Sequence, residues 1–257
     1  MSADFKAIAD KQAPCKCCGS MAQLYGVVDF HKNCEVQRPH ALGFSGIPIY
    51  YYRCPACTFI FTTAFDAFTK EDFARTIYNS DYIQVDPDYK DDRPRGNAEL
   101  IGNLFPTLTP QRILDYGSGE GLLVDVLRAT GRFEVDAYDP FVARHANRPQ
   151  RRYDCIVSFE VLEHSPQPAQ TIAEMNDLLT ENGVIILSTL LQPADIDQQR
   201  LNWWYAGPRN GHVSLYSLAS LLKLVEPFGF RQGSFNANLH ILFREVPAFA
   251  QHLIRLA

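Results

Sequence analysis

Two rhythms of apolar residues divide the chain. Before about residue 62 they come in short alternating runs, Leu24-Tyr25-Gly26-Val27-Val28 and Ile47–Tyr52, with Phe59-Ile-Phe61 closing the segment. Such short alternation predicts short strands. From Gln111 the pattern becomes strand and helix by turns. Arg112–Asp115 reads as a buried strand, followed by the turn Tyr116–Gly121. The next helix carries Leu122, Leu123, Val126 and Leu127 on one face and stops at Gly131. Phe133–Tyr138 is a second strand, ending in Asp139-Pro140. Further on, Ile172, Met175, Leu178 and Leu179 mark an amphipathic helix stopping at Asn182-Gly183, and Val184–Thr189 returns as a strand. Ser217 is placed to cap a helix with Leu218, Leu221, Leu222 and Val225 on one face. Phe230–Phe235 and Leu239–Arg244 form a final strand pair. Between the two rhythms, residues 64–92 are acidic and aromatic. Phe65, Phe68, Phe73, Ile77 and Tyr78 predict short helices joining two lobes.

Composition narrows the class. The 257 residues suit one large domain or two unequal ones, and 46% apolar with 21% charged residues is the balance of a soluble globular protein. Lys plus Arg number 24 against 29 Asp plus Glu, a net charge of −5 that argues against nucleic acid and anionic membrane as partners. The longest apolar stretches, such as Val184–Leu187, fall far short of the roughly 18 residues of a membrane span. The opening MSADFKAIADKQAP has no apolar run of signal-peptide length. A cytoplasmic protein is expected.

Six of the seven cysteines lie in the first 57 residues. In a reducing compartment, clustered cysteines point to metal or redox chemistry rather than disulfides. Cys15-Lys-Cys17-Cys18-Gly19 and Cys54-Pro-Ala-Cys57 are two C-x-x-C turns, and no thioredoxin-like βαβ pattern surrounds either. Together they predict a closed four-thiolate site, Cys15, Cys18, Cys54 and Cys57, holding structural zinc in a ribbon with a long insertion. Cys17 is an alternative to Cys15 or Cys18. Cys34 and Cys155 read as ordinary buried thiols.

The chemistry of the second segment lies in its glycine turn. A strand, a glycine turn, a helix and a strand ending in an acid place a ligand at the carboxyl edge of a parallel sheet. The spacing is G-x-G-x-G from Gly117 to Gly121, not the G-x-G-x-x-G of a dinucleotide fold, which makes a hydride-transferring dehydrogenase the weakest option. Asp115 before it would repel a pyrophosphate but suits a ligand carrying an ammonium and a sulfonium.

Ile113-Leu-Asp-Tyr-Gly-Ser-Gly-Glu-Gly121 resembles the first motif of class I S-adenosylmethionine-dependent methyltransferases. Tyr153-Asp-Cys-Ile-Val-Ser-Phe-Glu-Val-Leu-Glu-His164 is similar to the fourth strand of that family and the loop after it. The resemblance implies an α/β fold of Rossmann-like methyltransferase type, a mostly parallel sheet with helices on both faces. It also implies a cofactor pocket of Asp115, Tyr116, Gly117, Ser118, Gly119, Gly121, Leu122, Tyr138, Asp139, Pro140, Phe159 and Glu160, with Asp139 on the ribose. Residues 141–152 are too few for the usual helix and third strand, so that region is expected to be shortened, with no counterpart of the polar residue that meets the adenine. Arg144, Arg148, Arg151 and Arg152 in this stretch read as solvated surface charges or a clamp for a substrate anion. Tyr78 or Tyr82 could serve as a cofactor lid as well as packing between lobes.

After the fifth strand comes Trp203-Trp-Tyr-Ala-Gly-Pro-Arg-Asn-Gly-His-Val-Ser-Leu-Tyr-Ser217, placed to build the substrate pocket. Its His-x-Ser-x-Tyr-Ser string, with the cysteine pairs upstream, resembles zinc-ribbon methyltransferases of deoxysugars and other small metabolites. That resemblance implies His212 as general base with Tyr216 and Glu160 as polar partners. Glu163 and His164 form a second candidate pair. The expected organisation is a zinc-binding ribbon over 1–62, a helical connector over 63–95 and a methyltransferase domain over 96–257, its substrate loop at about 192–217. The expected enzyme methylates a small polar metabolite at oxygen, carbon or nitrogen. An RNA methyltransferase gripping nucleic acid with its zinc lobe, and a non-catalytic cofactor-binding protein, are the alternatives.

Overall fold

In the computed structural model the described residues are 10–255. The reading of a chain start without a leader falls largely on residues 1–9, outside them. Strands β1 (Gln12–Pro14), β2 (Met21–Asp29), β3 (Pro48–Arg53) and β4 (Ile60–Thr62) form an antiparallel meander. Helix α1 (Lys70–Thr76) follows, held at its start by a reciprocal pair in which Thr69 and Asp72 cap each other's backbone. A 13-residue helix α2 (Asp92–Leu104) comes next. Its polar first turns, Asp92-Arg-Pro-Arg-Gly-Asn, hide it from a periodicity search, since Ala98 and Ile101 alone are fully buried.

The rest of the chain runs through β5 (Ile113–Tyr116), α3 (Leu122–Ala129), β6 (Val135–Tyr138), β7 (Tyr153–Phe159), α4 (Pro168–Leu178), β8 (Leu179–Ser188), α5 (Ile196–Gln199), β9 (Ser214–Leu215), α6 (Leu218–Val225), β10 (Arg231–Ser234), β11 (Leu239–Phe243) and α7 (Gln251–Ile254), and all its strands but β9 form a second sheet. Its strand order is β10-β11-β8-β7-β5-β6, with β6, β5, β7 and β8 parallel and β11 antiparallel to both neighbours. Alternate residues of the strands feed two cores. Ile113, Cys155, Val157 and Ile186 pack with α2 and α3, while Leu114, Ile156, Ile185 and Leu187 pack with α4 and α6. The chain leaves β5 toward β6 on one side and returns at β7 on the other, so a crevice opens at their carboxyl ends.

Two helix faces and one boundary differ from the sequence reading. The core face of α3 is Leu123, Val124 and Leu127, with Leu122 and Val126 only half-buried. In α6, Leu221, Leu224 and Val225 are buried, whereas Leu218 and Leu222 are 50% and 43% exposed. Helix α4 ends at Leu178, because Leu179 already pairs with Tyr153 in the sheet; Asn182-Gly183 lies within β8.

The third strand is absent from the described residues. Residues 141–152 instead fold back on the end of β6 through one 3-10 turn, Ala143–His145, and the Asp139 amide donates to the His145 carbonyl. This leaves β6 as the edge strand, and charge blunts it. Arg151 pairs with Asp136 and Glu134, Arg144 with Glu120, and Arg148 with Glu174 and Asp177. Those arginines are therefore surface ion pairs within the chain.

One strand crosses the expected organisation. β9, inside the loop assigned to the second lobe, pairs antiparallel with β4 as the fifth strand of the first sheet, Ile60 opposite Leu215 and Phe61 opposite Ser214. The core under α4 and α6 likewise runs on into Tyr52 and Phe61 of the first sheet and Phe59 just before β4.

Candidate functional site

Two turns of the same shape bring the cysteines together. In one, the Gly19 amide donates to the Cys15 carbonyl at 2.9 Å and Gly19 has φ +74°; in the other, Thr58 donates to Cys54 at 2.9 Å with φ 61°. A left-handed residue at the same place in each turn aims both thiols of a pair inward. The sulfurs of Cys15, Cys18, Cys54 and Cys57 all lie within 4.8 Å of one another, with Cys15 to Cys57 at 3.6 Å and Cys18 to Cys54 at 3.5 Å. These separations are far beyond the roughly 2.05 Å of a disulfide and close to the edge, about 3.8 Å, of a tetrahedron with metal–sulfur distances near 2.3 Å. Cys17 stands outside this set.

The glycine turn sits at the crevice. Gly117, Gly119 and Gly121 have φ of +80°, +52° and +79°. Two of them are also required by close approach: a β-carbon on Gly117 would lie 2.4 Å from a methyl of Val161, and one on Gly121 would lie 2.7 Å from His145 Nε2. Gly117 and Ser118 donate their amides to the Tyr138 carbonyl, fixing the turn to the end of β6. Asp139 receives the amides of Gly119 and Phe141, each at 2.8 Å, so its carboxylate is pinned beside the turn with lone pairs still free. Burial and then the neighbouring charge of Asp139 push the Asp115 carboxyl up to about 7.

The other expected pocket residues divide. Leu122 opens α3, Pro140 follows Asp139, and Phe159 ends β7. Tyr116 and Tyr138 turn their hydroxyls to Glu174 of α4, at 2.5 and 3.0 Å, so what they offer the turn is main chain. Phe141 is half exposed and packs near Tyr78 and Phe73, with ring centroids 6.1 and 5.8 Å away. Tyr82, by contrast, is buried, and its hydroxyl donates to Asp86.

The loop after β7 carries the polar centre. Glu160 adopts φ 55°, unusual for a side chain with a β-carbon; its amide donates to Ser188 Oγ, which in turn donates to Glu160 Oε1. A single helical turn, Leu162–His164, then presents Glu163 and His164. The loop of residues 192–217 returns His212 to them: the Val213 amide donates to the Glu163 carbonyl at 2.8 Å, and the His164 and His212 rings meet edge-on at 4.9 Å. Tyr205 donates its hydroxyl to Glu163 Oε1 and accepts at its carbonyl from His212 Nδ1, at 2.8 Å. Burial, reinforced by the Glu160 charge, holds the Glu163 carboxyl well above its usual range. Burial also pushes His164 down to about 4 and His212 to about 3. Both imidazoles are thus neutral lone-pair donors at neutral pH.

Glu163, His164 and His212 are therefore brought together, and the Glu160 charge acts on Glu163. Tyr216 lies on the other side of the loop: its ring packs on Phe59 and its hydroxyl donates to the Leu162 carbonyl at 3.0 Å. Sequence reasoning missed three neighbours of the centre. Cys34, read as an ordinary buried thiol, is 3.4 Å from His212 Nδ1 and only partly buried. Asp86 and Arg93 form a two-pronged ion pair, 2.7 and 3.0 Å, whose charges act on Glu160. Neither lies in a recognisable motif. The long insertion between the cysteine pairs supplied the clue to Cys34, since residues 32–34 pack on the loop of residues 192–217 through Arg209 and Asn210.

A family model described as "Methyltransferase domain" matches residues 89–232, more than half of the chain. The chain belongs to this family of methyltransferase domains, and so to a family of enzymes. Similar curated proteins include the ubiquinone biosynthesis O-methyltransferases of Nitrosococcus oceani, 30% identical over 36% of this chain and 48% of that protein, and of Citrobacter koseri, 26% identical over 36% and 46%. The chain thus spans about half the length of the curated relatives it matches. Among solved structures, an O-methyltransferase family protein of Burkholderia thailandensis gives a TM-score of 0.49 at 16% identity, over 70% of this chain and 64% of that one. The 1,6-didemethyltoxoflavin-N1-methyltransferase of the same organism gives 0.47 at 14%, over 77% and 96%.

Proposed function

We propose that the protein transfers the methyl group of S-adenosylmethionine to a small polar metabolite, sugar-like in its hydroxyl content. The observation that supports this most is the adjacency of two sites at one crevice. The glycine turn with Asp139 suits the cofactor's ribose, and Val161, packed on Gly117, leads straight into Glu160, Glu163, His164 and His212. The ionised form of Asp115 complements the cofactor's ammonium and sulfonium. Phe141, half exposed beside Asp139, is our candidate to face the adenine in place of the residue that a third strand would have supplied.

Methyl transfer is an in-line displacement, in which holding the reactants aligned at short range supplies most of the rate. In this reading His212 takes the acceptor's proton, Glu160 orients the acceptor, and Tyr216 holds the loop through the Leu162 carbonyl. The four cysteines fit a structural zinc: four thiolates from two matched turns close the coordination shell and leave no position for substrate. We assign residues 1–62 to that lobe, 63–95 to the connector and 96–257 to the methyltransferase domain, with cytoplasmic residence in keeping with reduced thiols.

Calorimetry with S-adenosylmethionine, followed by a metabolite screen for methyl transfer, tests the proposal. Binding should be weakened about 10- to 100-fold in Asp139→Ala, the scale of about 1–3 kcal/mol for losing hydrogen bonds to a charged group. Equal affinity in the variant would remove Asp139 from the ribose, and no cofactor binding at all would end the reading.

A further inference from the structure

Glu163, His164 and His212 offer one ligand atom each, and these three atoms lie within 4.8 Å of one another. Their hydrogen bonding is incomplete in a revealing way. Glu163 is 0% exposed; Oε1 accepts from Tyr205, but Oε2 has no partner. His164 Nδ1 is likewise buried without a partner. Buried polar atoms are nearly always hydrogen-bonded, so two unpaired ones in one cluster need an explanation.

The surroundings orient the three residues rather than satisfy them. Tyr205 alone fixes two, holding the Glu163 carboxylate with its hydroxyl and the His212 Nδ1–H with its carbonyl, which leaves His212 Nε2 as a lone-pair donor. Such bonds to the far side of a ligand are how proteins aim imidazoles and carboxylates at metals. Gly211 makes the approach possible: with φ +88°, its missing β-carbon would lie 2.9 Å from His164 Nδ1. Arg93 is already clamped on Asp86, Glu160 accepts from Ser188 Oγ and feels the Arg93 charge, and among the described residues no cation pairs with Glu163.

We propose that Glu163, His164 and His212 form a divalent-cation site at the acceptor end of the crevice. Two imidazoles and one carboxylate suit first-row cations such as Mn²⁺, Fe²⁺ or Zn²⁺ and leave coordination positions open. Resting on the methyl-transfer reading, this deepens the substrate class to a hydroxyl acceptor able to bind a metal. Its proton leaves to water as the hydroxyl oxygen takes an open position. An oxygen lone pair then bonds to the methyl carbon while the carbon–sulfur bond breaks, its electron pair staying on the sulfur of S-adenosylhomocysteine. With the cation bound, His212 serves as a ligand, and water takes the proton that His212 takes in the cation-free reading above.

Mn²⁺ separates this site from the thiolate site, because thiolates bind it poorly. Chelator-treated, refilled protein should bind about one Mn²⁺ per chain by electron paramagnetic resonance titration. Glu163→Gln and His212→Ala should each weaken binding at least about tenfold. Tyr205→Phe, which keeps every ligand, should weaken it by about 10- to 100-fold. S-adenosylmethionine binding, read in parallel, reports the fold of each variant. Folded wild-type protein that binds the cofactor but no Mn²⁺, Fe²⁺ or Zn²⁺ beyond the cysteine site overturns the cation site and leaves methyl transfer standing. Mn²⁺ binding unchanged by all three substitutions overturns it as well. Cation binding without cofactor binding would instead sink the methyl-transfer reading alone.

Discussion

The Tyr51 hydroxyl donates a 2.7 Å hydrogen bond to the main-chain carbonyl of His212. Tyr51 belongs to β3, is 0% exposed, and so ties the cysteine-bearing sheet to the residue at the heart of the polar centre. Replacing it by phenylalanine leaves that carbonyl buried and unpaired. Tyr51→Phe should lose about 1–3 kcal/mol of stability in urea unfolding. Methyl transfer should fall while cofactor affinity stays near wild type. Unchanged unfolding and turnover would show that the bond does not hold the loop.

The cysteine site reaches the same loop by a second route. Ser217 Oγ contacts Thr58 Oγ1 at 2.6 Å and donates to the Cys57 carbonyl, while Gln192 Nε2 donates to the Thr58 and Leu215 carbonyls. Removing zinc with a strong chelator, or substituting Cys54→Ser, should therefore lower the melting temperature and abolish transfer, not merely unravel one lobe. Metal analysis of the untreated protein should give about one tightly held zinc per chain. Metal-free protein with an unaltered melting curve would refute the structural role.

Gly117 predicts a paired effect. Gly117→Ala adds a β-carbon 2.4 Å from Val161 Cγ2 and also strains φ +80°. It should cost about 1–3 kcal/mol and weaken cofactor binding strongly. Val161→Ala in the same chain should return the steric part but not the backbone part, a coupling that a double-mutant cycle measures. Purely additive losses would mean the two residues are not in contact.

Asp115 sets a pH dependence. Its folded carboxyl titrates at about 7, whereas an unfolded aspartate titrates near 3.9. Between those values the folded state keeps a proton that the unfolded state has lost. The contribution to stability is thus complete below the unfolded value and disappears as pH rises through about 7, with a slope of at most about 1.4 kcal/mol per pH unit. Cofactor affinity should run the other way, rising through pH 7 as the carboxylate forms to meet the ammonium. Asp115→Asn should flatten both curves; persistent slopes would place the titration elsewhere.

Much of this was legible from residues because it rests on local rules. Gly117, Gly119 and Gly121 announce a turn that needs left-handed backbone, and the Ser217 cap appears in the structure with Ser220 as its reciprocal partner. The shortened stretch 141–152 follows from chain length alone. What escaped depends on distance in sequence. Tyr205 beneath both Glu163 and His212, and Cys34 beside His212, are joined by folding across 42 and 178 positions, with no periodicity to betray them. The face of α6 was misread for a related reason: Leu218 and Leu222 obey the helical period, but Leu224 fits the neighbouring core better.

The two-residue strand β9 has a consequence for how the chain is made. On the ribosome, β4 emerges long before Ser214 and Leu215 exist to cover its edge, so the early meander waits with unpaired backbone until most of the second sheet has been synthesised. The first-formed lobe is finished last. Cutting the chain between its two sheets should therefore leave β4 with an open edge and β9 without its partner strand.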